Sequence, residues 1–84
     1  MTMHGGVNDK VIVNFGTTSS HLNGAITSQG GFAVDCEHGI GHCGAPASLH
    51  ERAWEFMLSH PFGTKPSPYA AGLPEDYPAF CEIR

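Results

Sequence analysis

Positive charge is scarce in this sequence: four Lys and Arg stand against eight Asp and Glu, for a net charge of −4 and a pI near 5.8. Nucleic acids and anionic membranes both select basic surfaces, so neither is an expected partner. No apolar run approaches the ~20 residues of a membrane-spanning helix. The opening Met1-Thr-Met-His-Gly has neither a positive start nor a long apolar stretch, so no signal peptide is expected. Gly-x-Ser-x-Gly, Cys-x2-Cys and His-Glu-x-x-His are all missing. Their absence removes an evident serine nucleophile and the two most specific zinc patterns. Internal repeats and low-complexity tracts are also lacking.

Glycine and proline, by contrast, are abundant. Eleven Gly and six Pro occur in 84 residues, about a fifth of the chain where roughly 12% is usual. The length allows one domain at most, and a chain this short is marginal without a staple. Three cysteines can supply one bridge and leave one thiol.

Met1-Thr-Met-His reads as the end of a buried strand, with Gly5-Gly6 turning out of it and Asn8-Asp9-Lys10 as a polar loop. Val11-Ile-Val13 is β-branched and reads as a short strand, with a loop over the core as the competitor. From Thr17 to Gln29 a weak helix is expected, capped by Thr17, Thr18 or Ser19, with Leu22, Ala25 and Ile26 on its buried face. Gly30-Gly31 would stop it. Phe32, Val34 and Cys36 alternate with Ala33, Asp35 and Glu37, the period of a second strand.

A second helix is expected from Ser48, with Ser48 and Glu51 at capping-box spacing. Leu49, Ala53, Phe56 and Met57 form its apolar stripe, Trp54 and Leu58 widen it, and Pro61 ends it. Residues 61–84 hold five of the six prolines and read as an extended tail, with Phe62, Tyr69, Leu73, Tyr77 and Phe80 as anchors. Strand, helix, strand and helix imply two parallel strands joined by a right-handed crossover. Parallel sheets are covered on both faces and usually hold more strands, so the pattern suits the edge of a larger α/β sheet.

The stretch Cys36-Glu-His-Gly-Ile-Gly-His-Cys-Gly-Ala-Pro46 organises the rest. His38 and His42 stand on a turn hinged by Gly39, Gly41 and Gly44, directly after the second strand. Catalytic groups of open α/β sheets gather at the carboxyl ends of the strands. Asp9 lies beyond the first strand end and His42 beyond the second, so adjacent parallel strands would bring them together. A carboxylate that accepts from one imidazole nitrogen leaves the other free as a general base. His38 is the competing base, and a solvated turn is the bland alternative. Cys36, His38, His42, Cys43 and His50 offer a rival zinc site on weak spacing. No metal or other cofactor is expected. The irregular tail ends near a cysteine, which motivates a Cys36–Cys81 bridge with Cys43 left free. Cys43 is the competing partner, and sequence does not separate the two.

At these residues a family resemblance emerges. His4-Gly5-Gly6-x-x-Asp9, His38-Gly-Ile-Gly-His42, Trp54-Glu-Phe-Met-Leu-Ser-His60-Pro61-Phe-Gly63 and the tail through Cys81 resemble the C-terminal part of α/β-hydrolase esterases. The nearest branch is that of polyhydroxybutyrate depolymerases and feruloyl esterases. The resemblance implies a C-terminal fragment of an α/β-hydrolase fold, with residues 1–63 as its last β/α units and 64–84 as a tail packed on them. It implies Asp9 and His42 as acid and base of a Ser-Asp-His triad, with His38, Gly39 and Gly41 shaping the site. It further implies a small ester or polyester as substrate and a secreted or periplasmic setting. The nucleophile and oxyanion hole would come from an N-terminal remainder of the domain, so this chain alone would be inactive. A non-catalytic remnant or small binding module is the alternative.

Overall fold

The computed structural model describes residues 1–6 and 9–84. Val7 and Asn8, and with Asn8 part of the expected polar loop, lie outside the described residues. The elements run β1 (Thr2–His4), α1 (Phe15–Ser28), β2 (Val34–Glu37), α2 (Ala47–Ser59) and β3 (Cys81–Ile83). They form a small mixed α/β unit with strand order β1-β2-β3. β1 and β2 are parallel, with Thr2 opposite Asp35, and α1 provides their connection. β2 and β3 are antiparallel, with Cys36 opposite Cys81.

The third strand departs from the expected extended tail and from the two-strand count. Proline cannot donate to a ladder, and the last proline is Pro78. Cys81–Ile83 therefore keep every amide needed to pair with β2. A disulfide joins Cys36 to Cys81 across this pair, and Cys43 is a free, exposed thiol.

Strand alternation divides the sheet into two unlike faces. On one, Val34, Cys36 and Cys81 form the core with Leu49 of α2 and Tyr77 of the tail. Phe32, Phe56, Tyr69, Leu73 and Phe80 pack around that core. On the other, Thr2 donates to Asp35 and accepts from Asn23 of α1. The polar face corrects the expected apolar contact of α1. Leu22 and Ala25 are exposed, Ile26 is half-buried, and Asn23 is the helix's buried residue.

The helix ends also differ in detail. α1 starts at Phe15 and is capped by Asn14, whose Oδ1 accepts the Thr17 amide at 3.0 Å, rather than by Thr17, Thr18 or Ser19. Its stop is as expected. Gly30 has φ +76°, its amide donates to the Thr27 carbonyl, and Gly31 donates to Ile26, which is the Schellman pattern. The capping box expected for α2 does not form. Pro46 is the N-cap and Ala47 the first helical residue, which puts Ser48 two positions too far in to cap and leaves Glu51 exposed. Of the apolar stripe, Leu49 is buried and Ala53 and Phe56 half-buried, whereas Trp54, Met57 and Leu58 are exposed.

Val11–Val13 is not a strand. The Val13 amide turns back to the Val11 carbonyl at 2.9 Å, with Ile12 at φ +72°, a γ-turn that prevents extension. Phe62 is fully exposed and anchors nothing, while Tyr69, Leu73, Tyr77 and Phe80 do hold the tail. The Tyr77 hydroxyl donates to the Arg52 carbonyl, and Arg52 pairs with Asp76, so α2 is fastened to the tail by polar contacts as well.

Candidate active site

β1 runs into the turn at Gly5-Gly6, and β2 runs into the loop from His38 to Gly44. Because the strands are parallel neighbours, both loops leave the same end of the sheet. They approach so closely that a Cβ on Gly5 would stand 2.8 Å from the Gly41 backbone. Glycine at position 5 is thus what lets the two loops touch. The second loop turns through left-handed backbone at Gly39 (φ +70°), Gly41 (φ +96°) and Cys43 (φ +60°). Only glycine adopts that region freely, so the strain falls on Cys43, immediately beside His42.

This close approach brings Asp9 and His42 together. His42 Nδ1 donates to Asp9 Oδ1 at 2.8 Å, and the Gly5 amide donates to Asp9 Oδ2 at 3.0 Å. The Asp9 side chain is 6% exposed and that of His42 is 40% exposed. The Gly5 amide holds the Asp9 carboxyl below the usual carboxylate range against the upward push of burial. The His42 hydrogen bond and the nearby imidazoles of His42 and His38 act in the same direction. Ionised Asp9 can only accept, so the Nδ1 of His42 carries the hydrogen and a neutral ring presents a lone pair at Nε2. Among the described residues Nε2 has no hydrogen-bond partner. Phe15 packs against the ring at 5.2 Å between centroids.

Of the other expected site residues, Gly39 and Gly41 supply the turn already described. His38 is half-buried, and its Nδ1 accepts the Ile40 amide at 3.2 Å, a contact that shapes the loop. Cys36 and Cys81 form the bridge that fastens β3. The weak zinc alternative loses its first ligand, because the Cys36 sulfur is bonded to Cys81. Among the described residues no group of three or more His, Cys, Asp and Glu is placed to hold a metal ion.

Sequence reading missed a second His–Asp pair. His4 Nε2 lies 3.0 Å from Asp35 Oδ1, and the two side chains are 2% and 4% exposed. Asp35 also accepts from Thr2 Oγ1 at 2.6 Å and from Arg84 at 3.0 Å. Burial alone would raise the Asp35 carboxyl. The hydrogen bonds from Thr2 and Arg84, with His4 beside them, outweigh burial and hold it below the usual range. The available signal was a carboxylate inside the apolar run Ala33-Val34-Asp35-Cys36, since a buried charge needs partners.

A further missed contact lies under the tail. His60 Nδ1 donates to the Phe56 carbonyl at 2.7 Å, so its Nε2 accepts the Ser67 hydroxyl at 2.6 Å. Ser67 in turn accepts the Tyr69 amide, which ties the tail to the end of α2. A cleft of about 360 Å³ beside α1 is lined by His4, Asp35, Glu37 and Arg84 but by neither Asp9 nor His42. Comparison with protein-family models, curated proteins and solved structures gave no match, so the functional reading rests on this geometry and on the motifs that point to it.

Proposed function

We propose that this chain supplies the acid and base of a serine carboxylic-ester hydrolase, of the polyester depolymerase and feruloyl esterase kind that its motifs resemble. The observation that carries the reading is the 2.8 Å bond between buried Asp9 and partly exposed His42, at the carboxyl ends of two parallel strands. A serine hydroxyl presented to His42 Nε2 would lose its proton there as its oxygen attacks an ester carbonyl. Asp9 would hold the ring in orientation and stabilise the imidazolium. The same nitrogen would then return the proton to the departing alcohol, and a water activated in the same way would release the acid.

The serine and the oxyanion donors belong, in this proposal, to sequence preceding Met1 in the complete enzyme. Two features support a covering remainder. Among the described residues β1 has a strand on one side alone, and Trp54, Met57, Leu58 and Phe62 leave apolar area open to solvent around the end of α2. Exposed apolar patches of this kind mark surfaces that meet other protein.

The test begins with the coding sequence upstream of Met1. An in-frame Gly-x-Ser-x-Gly is expected about 50–150 residues back, within the size of one domain. The longer protein should hydrolyse p-nitrophenyl butyrate and the 84-residue chain should not. Turnover by the purified short chain that disappears on His42→Ala would place the nucleophile inside these residues and overturn the proposal.

A further inference from the structure

Two consecutive amides in the first turn serve two different His–Asp pairs. The Gly5 amide donates to Asp9 Oδ2, and the Gly6 amide donates to His4 Nδ1, each at 3.0 Å. An amide can only donate, so His4 Nδ1 is an acceptor and its hydrogen sits on Nε2, which donates to Asp35. Asp35 is held in turn by Thr2 of β1 and by Arg84 beyond β3, and Thr2 is held by Asn23 of α1. His4 is therefore fixed in place and in tautomer by a network that draws on β1, β2, α1 and Arg84 just past β3.

The turn it anchors would otherwise be loose. Gly5 and Gly6 have the widest backbone freedom of any residue pair. The Gly6 amide also precedes a left-handed residue, since Gly6 has φ +68°. Holding that amide fixes the peptide plane between the two glycines, which is the plane on the C-terminal side of Gly5. The His4 carbonyl, which shares a peptide plane with the Gly5 N–H, accepts the His38 amide at 3.0 Å, so with the Gly6 bond the planes on both sides of Gly5 are held and its amide has one direction left.

We infer that His4, locked between Asp35 and the Gly6 amide, is a positioning residue that aims the Gly5 amide at Asp9 and so sets the acid's orientation toward His42. The inference rests on the esterase reading for its catalytic meaning but not for its geometry.

Two substitutions separate the halves of the interaction. In His4→Asn the side-chain oxygen takes the place of Nδ1 and can still accept the Gly6 amide, but the reach to Asp35 is lost. In His4→Gln the amide nitrogen takes the place of Nε2 and still reaches Asp35, but the Gly6 amide loses its acceptor. On the 84-residue chain, nitrogen-15 NMR should show a coupling across the hydrogen bond between the Gly6 amide and His4 Nδ1, and a downfield His42 Nδ1–H signal that Asp9→Asn abolishes. His4→Asn should keep that His42 signal and His4→Gln should lose it. In the complete hydrolase His4→Gln should lower kcat by about ten- to a hundredfold with KM unchanged, the scale of a misplaced catalytic group, and His4→Asn should recover most of it. Absence of the wild-type coupling, an unaltered His42 signal in His4→Gln, or equal loss in both variants by unfolding or otherwise would overturn the inference. Full activity of Asp9→Asn would instead sink the triad reading and leave the NMR result standing.

Discussion

His4–Asp35 and His42–Asp9 are the same two side chains at nearly the same separation, 3.0 and 2.8 Å, the first across two paired strands and the second between the loops that leave them. Their surroundings differ. In the first pair both imidazole nitrogens are engaged, by Asp35 and by the Gly6 amide, and the ring is 2% exposed. In the second only Nδ1 is engaged and the ring is 40% exposed. Asp35 takes donors from Thr2, His4 and Arg84, whereas Asp9 takes one amide and one imidazole. A base needs an unengaged nitrogen that solvent or substrate can reach, and of these two rings His42 alone keeps one among the described residues. The contrast shows that a His–Asp contact is not by itself a catalytic signature. The state of the second nitrogen separates a structural pair from a reactive one.

The largest test of this contrast uses the bridge that holds β3. Replacing Cys36 and Cys81 by serine should cost about 3–4 kcal/mol, the scale for a closed loop of this length. The sequence separation is 45. Because Arg84 follows β3 directly, the loss should loosen Asp35 before it disturbs Asp9. Chemical denaturation compared with and without the bridge measures the first effect, and amide exchange at Thr2 against Gly5 measures the second.

Next in size is Asp35→Ala. It leaves the buried Nε2–H of His4 without its acceptor and removes a partner of Arg84, and should destabilise the fold by about 3 kcal/mol in urea unfolding. Asp9→Ala, which uncovers a partly exposed ring, should cost clearly less. Equal losses would erase the distinction between the pairs.

Acid sensitivity gives a finer measure. Both carboxyls are held below their ordinary value of 3.8 in the folded chain. The unfolded chain therefore takes up these protons at higher pH than the folded one. The stability they contribute is complete above about pH 4 and is lost as pH falls through the lower folded values. The thermal midpoint should hold steady from neutrality to about that pH and then drop. Asp35→Asn should flatten the drop, and an unchanged acid limb would contradict the role given to Asp35. The smallest effect concerns Cys43. Iodoacetamide should alkylate this one thiol in the native chain without shifting the thermal midpoint, whereas a second modified cysteine before reduction would show the bridge to be incomplete.

The elements that sequence conveyed best were those with strong local rules. Glycine stops α1 at Gly30-Gly31, proline follows the end of α2, and two strand exits rich in glycine bring Asp9 and His42 side by side. What stayed hidden depended on register and on surfaces far apart in the chain. Asp35 finds His4 only because β1 and β2 pair with Thr2 opposite Asp35. Leu22 looked like a buried position because periodicity counts apolar residues, yet the sheet face beneath α1 is polar and takes Asn23 instead. β3 escaped notice because three residues after a proline-rich tail carry no periodic signal of their own. The capping box at Ser48 was a correct spacing read two residues out of phase, since the N-cap is Pro46 and the helix begins at Ala47.

The central claim, that His42 is the base and Asp9 its orienting acid, is met most directly by kcat for His42→Ala and His38→Ala in the hydrolase that contains the nucleophile. His42→Ala should lower kcat by several orders of magnitude, as loss of a triad base does, with a much smaller loss for His38→Ala, whose ring only braces the loop through the Ile40 amide. Near-normal turnover in His42→Ala together with abolished turnover in His38→Ala would contradict the account and move the base four residues toward β2.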